Sequence, residues 1–414
     1  MDVDLGSAES IRDPTGYFRA ARERGGAVQW SAPHRAWVVL SHAEVEAAFR
    51  DTETLSADRS KTFQRAAARH SPAFGVVAEL LSGWMNFRDD PAHRRLREPV
   101  RAAFTPRAVG ALEEDVRSAV EQALEACHGE IVDLYQAFAR PIPALVIADM
   151  LGVDREDRER FQDWSDDIGK IVFSLAPGSV AEEPVVRATE EFVAFFSRLI
   201  ERERANPSGN LLSAIVHSGV GELNPIELVG ACTLLLFGGH ETTTTLLDNA
   251  LAILLERPDL ADWLRVHPEA YASAVEEFMR VAGPARTMAR KVRVSHARGG
   301  RDLEPGQTVF LGIVAANHDE AVFDEPSRID LERDPNPQLG FGWGPHFCLG
   351  ANLARLEARI ALRALLERFP RMEPAVPVPE LEGGIMGFAR RPLLARLADR
   401  RVPRLPRQPA GARG

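Results

Sequence analysis

Ten residues near the C-terminal end of the chain, Phe341-Gly342-Trp343-Gly344-Pro345-His346-Phe347-Cys348-Leu349-Gly350, put one thiol behind two glycines at the start of a helical pattern that runs to Phe369. Gly342 and Gly344 allow a tight turn, and a cysteine at the head of a helix meets free N–H groups and the positive end of the dipole, which favour the thiolate. A thiolate placed this way is a metal ligand. The plain alternative is a small buried core residue in a Gly-rich turn, the commonest fate of a lone cysteine. A second unusual string, Gly238-Gly239-His240-Glu241-Thr242-Thr243, interrupts an apolar stretch. Glycine costs backbone entropy in a helix and threonine is stiff at χ1, so a buried helix that carries them is either making room for something or is simply threonine-rich. His93 and Arg97 stand at i, i+4, two donors on one face that suit a carboxylate. Glu277 and Arg280 form one of several Glu-x-x-Arg pairs, alongside Glu98/Arg101, Glu114/Arg117, Glu201/Arg204 and Glu325/Arg328, most of which are ordinary helix ion pairs.

The elements that must position these groups are mainly helical. Apolar residues recur at three- and four-residue spacing over Leu112 to Cys127, Pro143 to Leu151, Glu190 to Asn206, Pro225 to Glu256, Glu269 to Arg280 and Leu349 to Phe369. The helix from Pro225 has the clearest boundaries: Asn224 as cap, Pro225 in the first position, Glu227 completing a capping box, and Arg257-Pro258 as its end. Its roughly 32 residues span about 48 Å at 1.5 Å per residue. Strand signals are few: a hairpin over Ala27 to Leu40 around Pro33, and a β-branched run from Thr308 to Val314.

The chain has 414 residues, of which 50 Lys and Arg stand against 60 Asp and Glu, for a net charge of −10. That balance argues against a nucleic-acid partner, which requires a concentrated positive surface. The three cysteines, Cys127, Cys232 and Cys348, are far apart and odd in number, so neither a disulfide framework nor a zinc knuckle is expected. The opening MDVDLGSAES lacks a basic and an apolar region, and the apolar stretch from Leu228 to Phe237 is too short to cross a bilayer. A cytoplasmic, monomeric protein without membrane anchor is expected. No repeat or linker divides the chain, so residues 1–402 read as a single domain, with a Pro/Arg-rich tail over residues 403–414 expected to be disordered.

The cysteine string resembles the cysteine loop of the cytochrome P-450 superfamily, Phe-Gly-x-Gly-x-His-x-Cys-x-Gly, at every fixed position. Other segments follow in the order that family implies. Glu277 and Arg280 lie between the long helix and the cysteine loop, where they resemble the family's Glu-x-x-Arg pair, and Arg328 in PSRID falls where the third member of its structural ion-pair network is expected. By resemblance His93, Arg97, Arg286 and His346 bind haem propionates, Gly238 makes room for the macrocycle, and Cys348 ligates the iron. Gly238 to Thr243 resembles the family's dioxygen site, which makes Glu241 and Thr242 the acid-alcohol pair that relays protons. The resemblance covers residues 10 to 400, and it departs only at Gly238, where alanine is commoner, and at the variable slots of Trp343 and His240.

The resemblance implies a mainly α fold, a helical prism with a small β region, holding haem b between the long central helix and the helix that follows the cysteine loop. It implies a haem-thiolate monooxygenase that inserts one atom of O2 into a small hydrophobic or aromatic substrate, in specialised metabolism. The chain has no flavin or nicotinamide fingerprint, so a ferredoxin and an NAD(P)H-dependent ferredoxin reductase are the expected partners. Arg355, Arg359 and Arg363 recur at i, i+4 as a candidate docking stripe, or else a solvated charged face. By family position the pocket draws on Phe74, Trp84, Met85, Val281, Ile385 and Met386, with the Ile171 to Leu175 region. Two other functions fit the same residues: a peroxide-driven peroxygenase, which would not need Glu241 and Thr242, and a non-catalytic haem sensor or interaction protein.

Overall fold

The computed structural model describes residues 2–69, 72–158, 164, 182–219, 223–383, 387–389 and 391–398. Ile385, Met386, residues 171–175 and the tail over 403–414 lie outside these.

The long helix runs from Pro225 to Glu256 without a break. Its first turn is a capping box, in which Glu227 N–H donates to Asn224 Oδ1 at 3.0 Å and Asn224 N–H donates to Glu227 Oε2 at 3.0 Å. Two orphan donors are thereby satisfied, and Pro225 occupies a position that needs no N–H. From Thr243 to Leu255 every residue is buried, so packing on all sides holds the end of the threonine run, Thr243 to Thr245, whose intrinsic helix propensity is poor. The helices Pro141–Leu151, Glu182–Ala205 and Ala351–Arg368 pack against it.

The other helical expectations match to within two residues at most ends: Glu113–Ala126, Pro141–Leu151, Tyr271–Ala282 and Ala351–Arg368. Glu182–Ala205 begins eight residues before the expected Glu190. Pro184 stands in its first turn, where a missing N–H costs nothing.

Five strands form one sheet in the order Val28–Ser31, Ala36–Val39, Thr308–Gly312, Thr287–Val292 and Leu55–Ser56. The first two pair as the antiparallel hairpin expected around Pro33, with Trp30 opposite Trp37. Ala36–Val39 runs parallel to Thr308–Gly312, which pairs antiparallel with Thr287–Val292. A smaller sheet joins Val132–Asp133, Leu394–Ala398 and Arg371–Pro374. The main apolar cluster extends from Phe63 to Ala395, and two smaller clusters line the faces of the large sheet. Among the described residues no helix is long and apolar enough to cross a membrane.

Candidate active site

The cysteine loop is shaped by its own backbone. Gly342 and Gly344 have φ of 71° and 72°, the left-handed region in which a Cβ is strained. A Cβ on Gly344 would also fall 2.9 Å from the Phe49 carbonyl oxygen, so glycine is required there twice over. Cys348 N–H donates to Phe341 O at 2.9 Å and Phe347 N–H to Gly344 O at 3.0 Å. Arg355, one turn into the following helix, lies 4.4 Å from the Phe341 ring centroid and donates from Nε and Nη2 to Glu276 at 2.5 and 2.9 Å. The loop is thus clamped from the helix it opens.

Cys348 faces a cavity of about 1560 Å³, counting its open mouth, between the helices Pro225–Glu256 and Ala351–Arg368. Burial among protein atoms pushes the thiol up, outweighing the Gly350 N–H and the nearby Arg97 and Arg355 guanidinium groups. Cys348 is itself exposed to the cavity, where a bound cation would favour its charged form. Cys127 and Cys232 are buried and pushed up to about 12, which leaves them inert.

Opposite Cys348 the cavity is lined by Gly238, Gly239, Thr242 and Thr243. A Cβ on Gly238 would meet nothing within 4 Å, so its face of the helix is open to the cavity. Thr242 Oγ1 donates to the Gly238 carbonyl at 2.6 Å, which fixes the rotamer that presents the hydroxyl. Glu241 points elsewhere. Its Oε1 lies 3.5 Å from His240 Nδ1 and its Oε2 3.9 Å from Arg391 Nη2, and it does not line the cavity.

His93 and Arg97 share a face of the helix Ala92–Arg101 and both line the cavity with His346. The His93 and His346 rings lie against each other with centroids 4.1 Å apart and planes tilted by 35°. Burial, then the His93 ring and Arg290, push His346 down to about 3; burial and Arg97 also lower His93 against the pull of Asp90. Both are neutral imidazoles at pH 7. His93 Nε2 is buried without a hydrogen-bond partner among the described residues.

Arg286 does not join them. Its Nη2 donates to Leu5 O at 2.8 Å, to Ser10 Oγ at 3.1 Å and to Ser10 O at 3.2 Å, so the expected propionate donor instead ties the N-terminal segment to the sheet. Arg290, inside the strand Thr287–Val292, lines the cavity, and so does Arg59. The signal for Arg290 was its place within the β-forming run TMARKV, which carries it under the sheet, while Arg286 precedes the strand.

The Glu277–Arg280 pair is fully buried, with Arg280 Nη2 and Nε donating to the carboxylate at 2.7 and 2.8 Å. Burial alone would raise the Glu277 carboxyl, but Arg280, the Asp330 N–H and Arg333 together hold it below its usual range. Arg280 also donates to the carbonyls of Asn317, Pro326 and Arg328. The third side chain is Arg333, whose Nε lies 3.2 Å from Glu277 Oε2, and not Arg328. Arg328 contributes only its carbonyl; its exposed guanidinium turns outward to Glu325 and Asp330 at 2.8 and 2.9 Å.

Of the expected pocket residues, Met85 lines the cavity. Trp84 does not: fully buried, it donates from Nε1 to Thr233 Oγ1 at 2.9 Å and stacks on Phe87. Phe74 belongs to the apolar core, and Val281 lines a separate small hollow beside Asn249 and Arg286. Residues that sequence reasoning missed include Phe104, Ile147, Leu234 and Met288.

A sulfur and an open glycine face, at Gly238, in one cavity, with an unpaired imidazole nitrogen and guanidinium groups at its edge, fit a flat macrocycle that carries a metal and carboxylates. A family model for cytochrome P450 matches residues 271–397. Cytochrome P450 CYP107DY1 of Priestia megaterium is 32% identical over 390 residues, 91% of this chain and 94% of that protein. The erythromycin C-12 hydroxylase of Saccharopolyspora erythraea is 34% identical over 347 residues, 83% of this chain and 84% of its own. The crystal structure of P450BioI with an acyl carrier protein ligated to hexadec-9Z-enoic acid superposes with a TM-score of 0.85 at 28% identity, covering 94% of this chain and 100% of that one. The chain belongs to the cytochrome P450 family. It is a haem-thiolate monooxygenase, and the family's cofactor is protoporphyrin IX haem with an axial cysteine thiolate.

Proposed function

We propose that the protein oxygenates a hydrophobic organic substrate of specialised metabolism in the cytoplasm, with Cys348 as iron ligand and electrons delivered by a ferredoxin and its reductase. The observation that carries this reading is one cavity shared by the Cys348 sulfur, the open Gly238 face and the Thr242 hydroxyl. Bound there, a haem-thiolate supplies reductive activation of O2 and transfer of one oxygen atom.

The chain's own residues divide the remaining work. His93, Arg97, Arg290 and His346 are the donors available to the propionates, and His93 Nε2 needs such a partner. Thr242 holds a hydroxyl proton at the cavity wall, while Glu241, turned toward His240 and Arg391, hands protons to it from outside. A peroxide-driven enzyme would have no use for that pair. Met85, Phe87, Phe104, Ile147 and Leu234 make the wall apolar, which suits a hydrophobic or aromatic substrate.

For the electron donor, Arg355 is already committed to Glu276 and Phe341, and Arg363 to Glu367 at 2.8 Å. Arg359 is the exposed member of the stripe that remains for an acidic ferredoxin. The test of the function is turnover with a generic ferredoxin pair: NAD(P)H consumption matched by oxygenated product supports it, and haem binding without substrate-stimulated electron flow refutes it.

A further inference from the structure

We infer that Arg59 anchors a carboxylate carried by the substrate, so that the enzyme's natural ligands are organic acids with an apolar body. This rests on the monooxygenase reading above. Arg59 lies between the strand Leu55–Ser56 and the helix Ser60–Arg69. Its N–H donates to Phe87 O at 3.2 Å, and its carbonyl accepts from Thr62 and Phe63 N–H at 2.9 and 3.0 Å. The guanidinium lies 4.9 Å from the centroid of the Phe87 ring, which packs edge-on against Phe63 at 5.1 Å. Backbone and aromatic platform together hold Arg59 at the cavity wall, beside Phe87, which lines it too.

Charge decides what it is for. The described residues that line the cavity include three guanidinium groups, Arg59, Arg97 and Arg290, and a single acid, Glu357. Burial pushes Glu357 up to about 8, so it is largely neutral at pH 7. Arg59 stays charged even though burial brings it down to about 10, and no acidic side chain pairs with it among the described residues. Asp89, the acid closest in charge to Arg290, is bonded to Arg293 at 2.5 Å. Haem contributes two propionates against three guanidinium groups, and the thiolate offsets the ferric porphyrin. One half-buried cation at the cavity wall is left without a protein or haem counter-charge, a place that a further anion would fill.

That anion has to share the cavity with Met85, Phe87, Phe104, Ile147 and Leu234. An inorganic ion would leave this wall uncovered. A carboxylic acid with an aliphatic or aryl body satisfies both ends, and the planar guanidinium matches a carboxylate in a bidentate fork.

The experiment titrates the ferric haem-loaded protein, by calorimetry and by its absorption spectrum, with dodecanoic and 3-phenylpropionic acids and with their methyl esters. The wild type should bind at least one acid about 10-fold or more tighter than its ester, the scale of one charge-assisted hydrogen bond. Arg59→Gln should abolish the preference while ester affinity and haem content stay the same, and Arg59→Lys should restore part of it. Equal binding of acid and ester by the wild type overturns the inference, as does equal weakening of both in Arg59→Gln. Loss of haem from Arg59→Gln also overturns it, since that assigns Arg59 to a propionate. Failure of the monooxygenase reading shows separately, as a wild-type CO complex without the thiolate band.

Discussion

The Arg97 guanidinium donates to the Phe347 carbonyl at 2.7 Å, so a residue of the helix Ala92–Arg101 holds the peptide group directly before Cys348. The same side chain lines the cavity, so under the proposed function it would join recognition of the haem edge to placement of the ligand. Lysine, a point charge without the fork, cannot serve both. Arg97→Lys should therefore loosen haem and reduce the red-shifted fraction of the CO complex together. Loss of haem with an intact band on what remains would separate the two roles.

Cys348→Ala should abolish the red-shifted CO band, whereas Cys127→Ala and Cys232→Ala should keep it, since those thiols are buried among apolar side chains away from the cavity. The spectrum of the reduced CO complex reads the difference directly.

Thr242→Ala and Glu241→Gln should bind haem and substrate nearly as the wild type does, yet divert electrons to hydrogen peroxide. Loss of a positioned proton donor costs about 100- to 10,000-fold in the step it serves, whereas a structural threonine costs on the order of 1 to 3 kcal/mol of stability. NAD(P)H consumed, peroxide released and product formed, measured beside the thermal midpoint, separate these. A variant that melts early but stays coupled would make the pair scaffold.

Arg333→Ala should destabilise the protein by about 1 to 3 kcal/mol, because it withdraws a charged donor from the buried Glu277 carboxylate. Arg328→Ala should change stability by less than about 1 kcal/mol, since its guanidinium is exposed and its carbonyl survives the substitution. Urea unfolding of both variants tests the assignment, and the reverse order would return the third place to Arg328.

Glu357 supplies a pH dependence. It is buried, its Oε2 has no hydrogen-bond partner among the described residues, and burial lifts it from 4.5 to about 8. The folded state therefore holds this proton more tightly than the unfolded chain, and stability falls as pH rises from the ordinary carboxylate range to about 8, then levels off. Glu357→Gln keeps the neutral shape. Its thermal midpoint, compared with wild type between about pH 5 and pH 9, should gain steadily on the alkaline side. A constant offset across that range would mean that Glu357 does not titrate there.

Much of the site was legible because it is local. The turn at Gly342 and Gly344, the helix that follows and the capping box at Asn224 depend on neighbours in sequence, and the structure has each of them where the residues imply. What was not legible depends on direction across space. Arg286 and Arg290 are four residues apart on one segment, and only the strand's placement against Thr308–Gly312 and the N-terminal segment decides which guanidinium reaches the cavity. Arg328 and Arg333 flank the same turn, and only the path of the backbone decides which one turns inward. Trp84 stands at a pocket position by resemblance to the family, but its indole N–H needed a buried acceptor and found Thr233.

Trp84 and Met85 are consecutive, yet one is bolted to the long helix through Thr233 and the other forms part of the cavity wall. For anyone wishing to change what the enzyme accepts, this divides a short segment into a fixed position and two adjustable ones. Libraries at Met85 and Asn86 should return folded proteins with new ligand preferences, while the same diversity at Trp84 should return mostly insoluble chains.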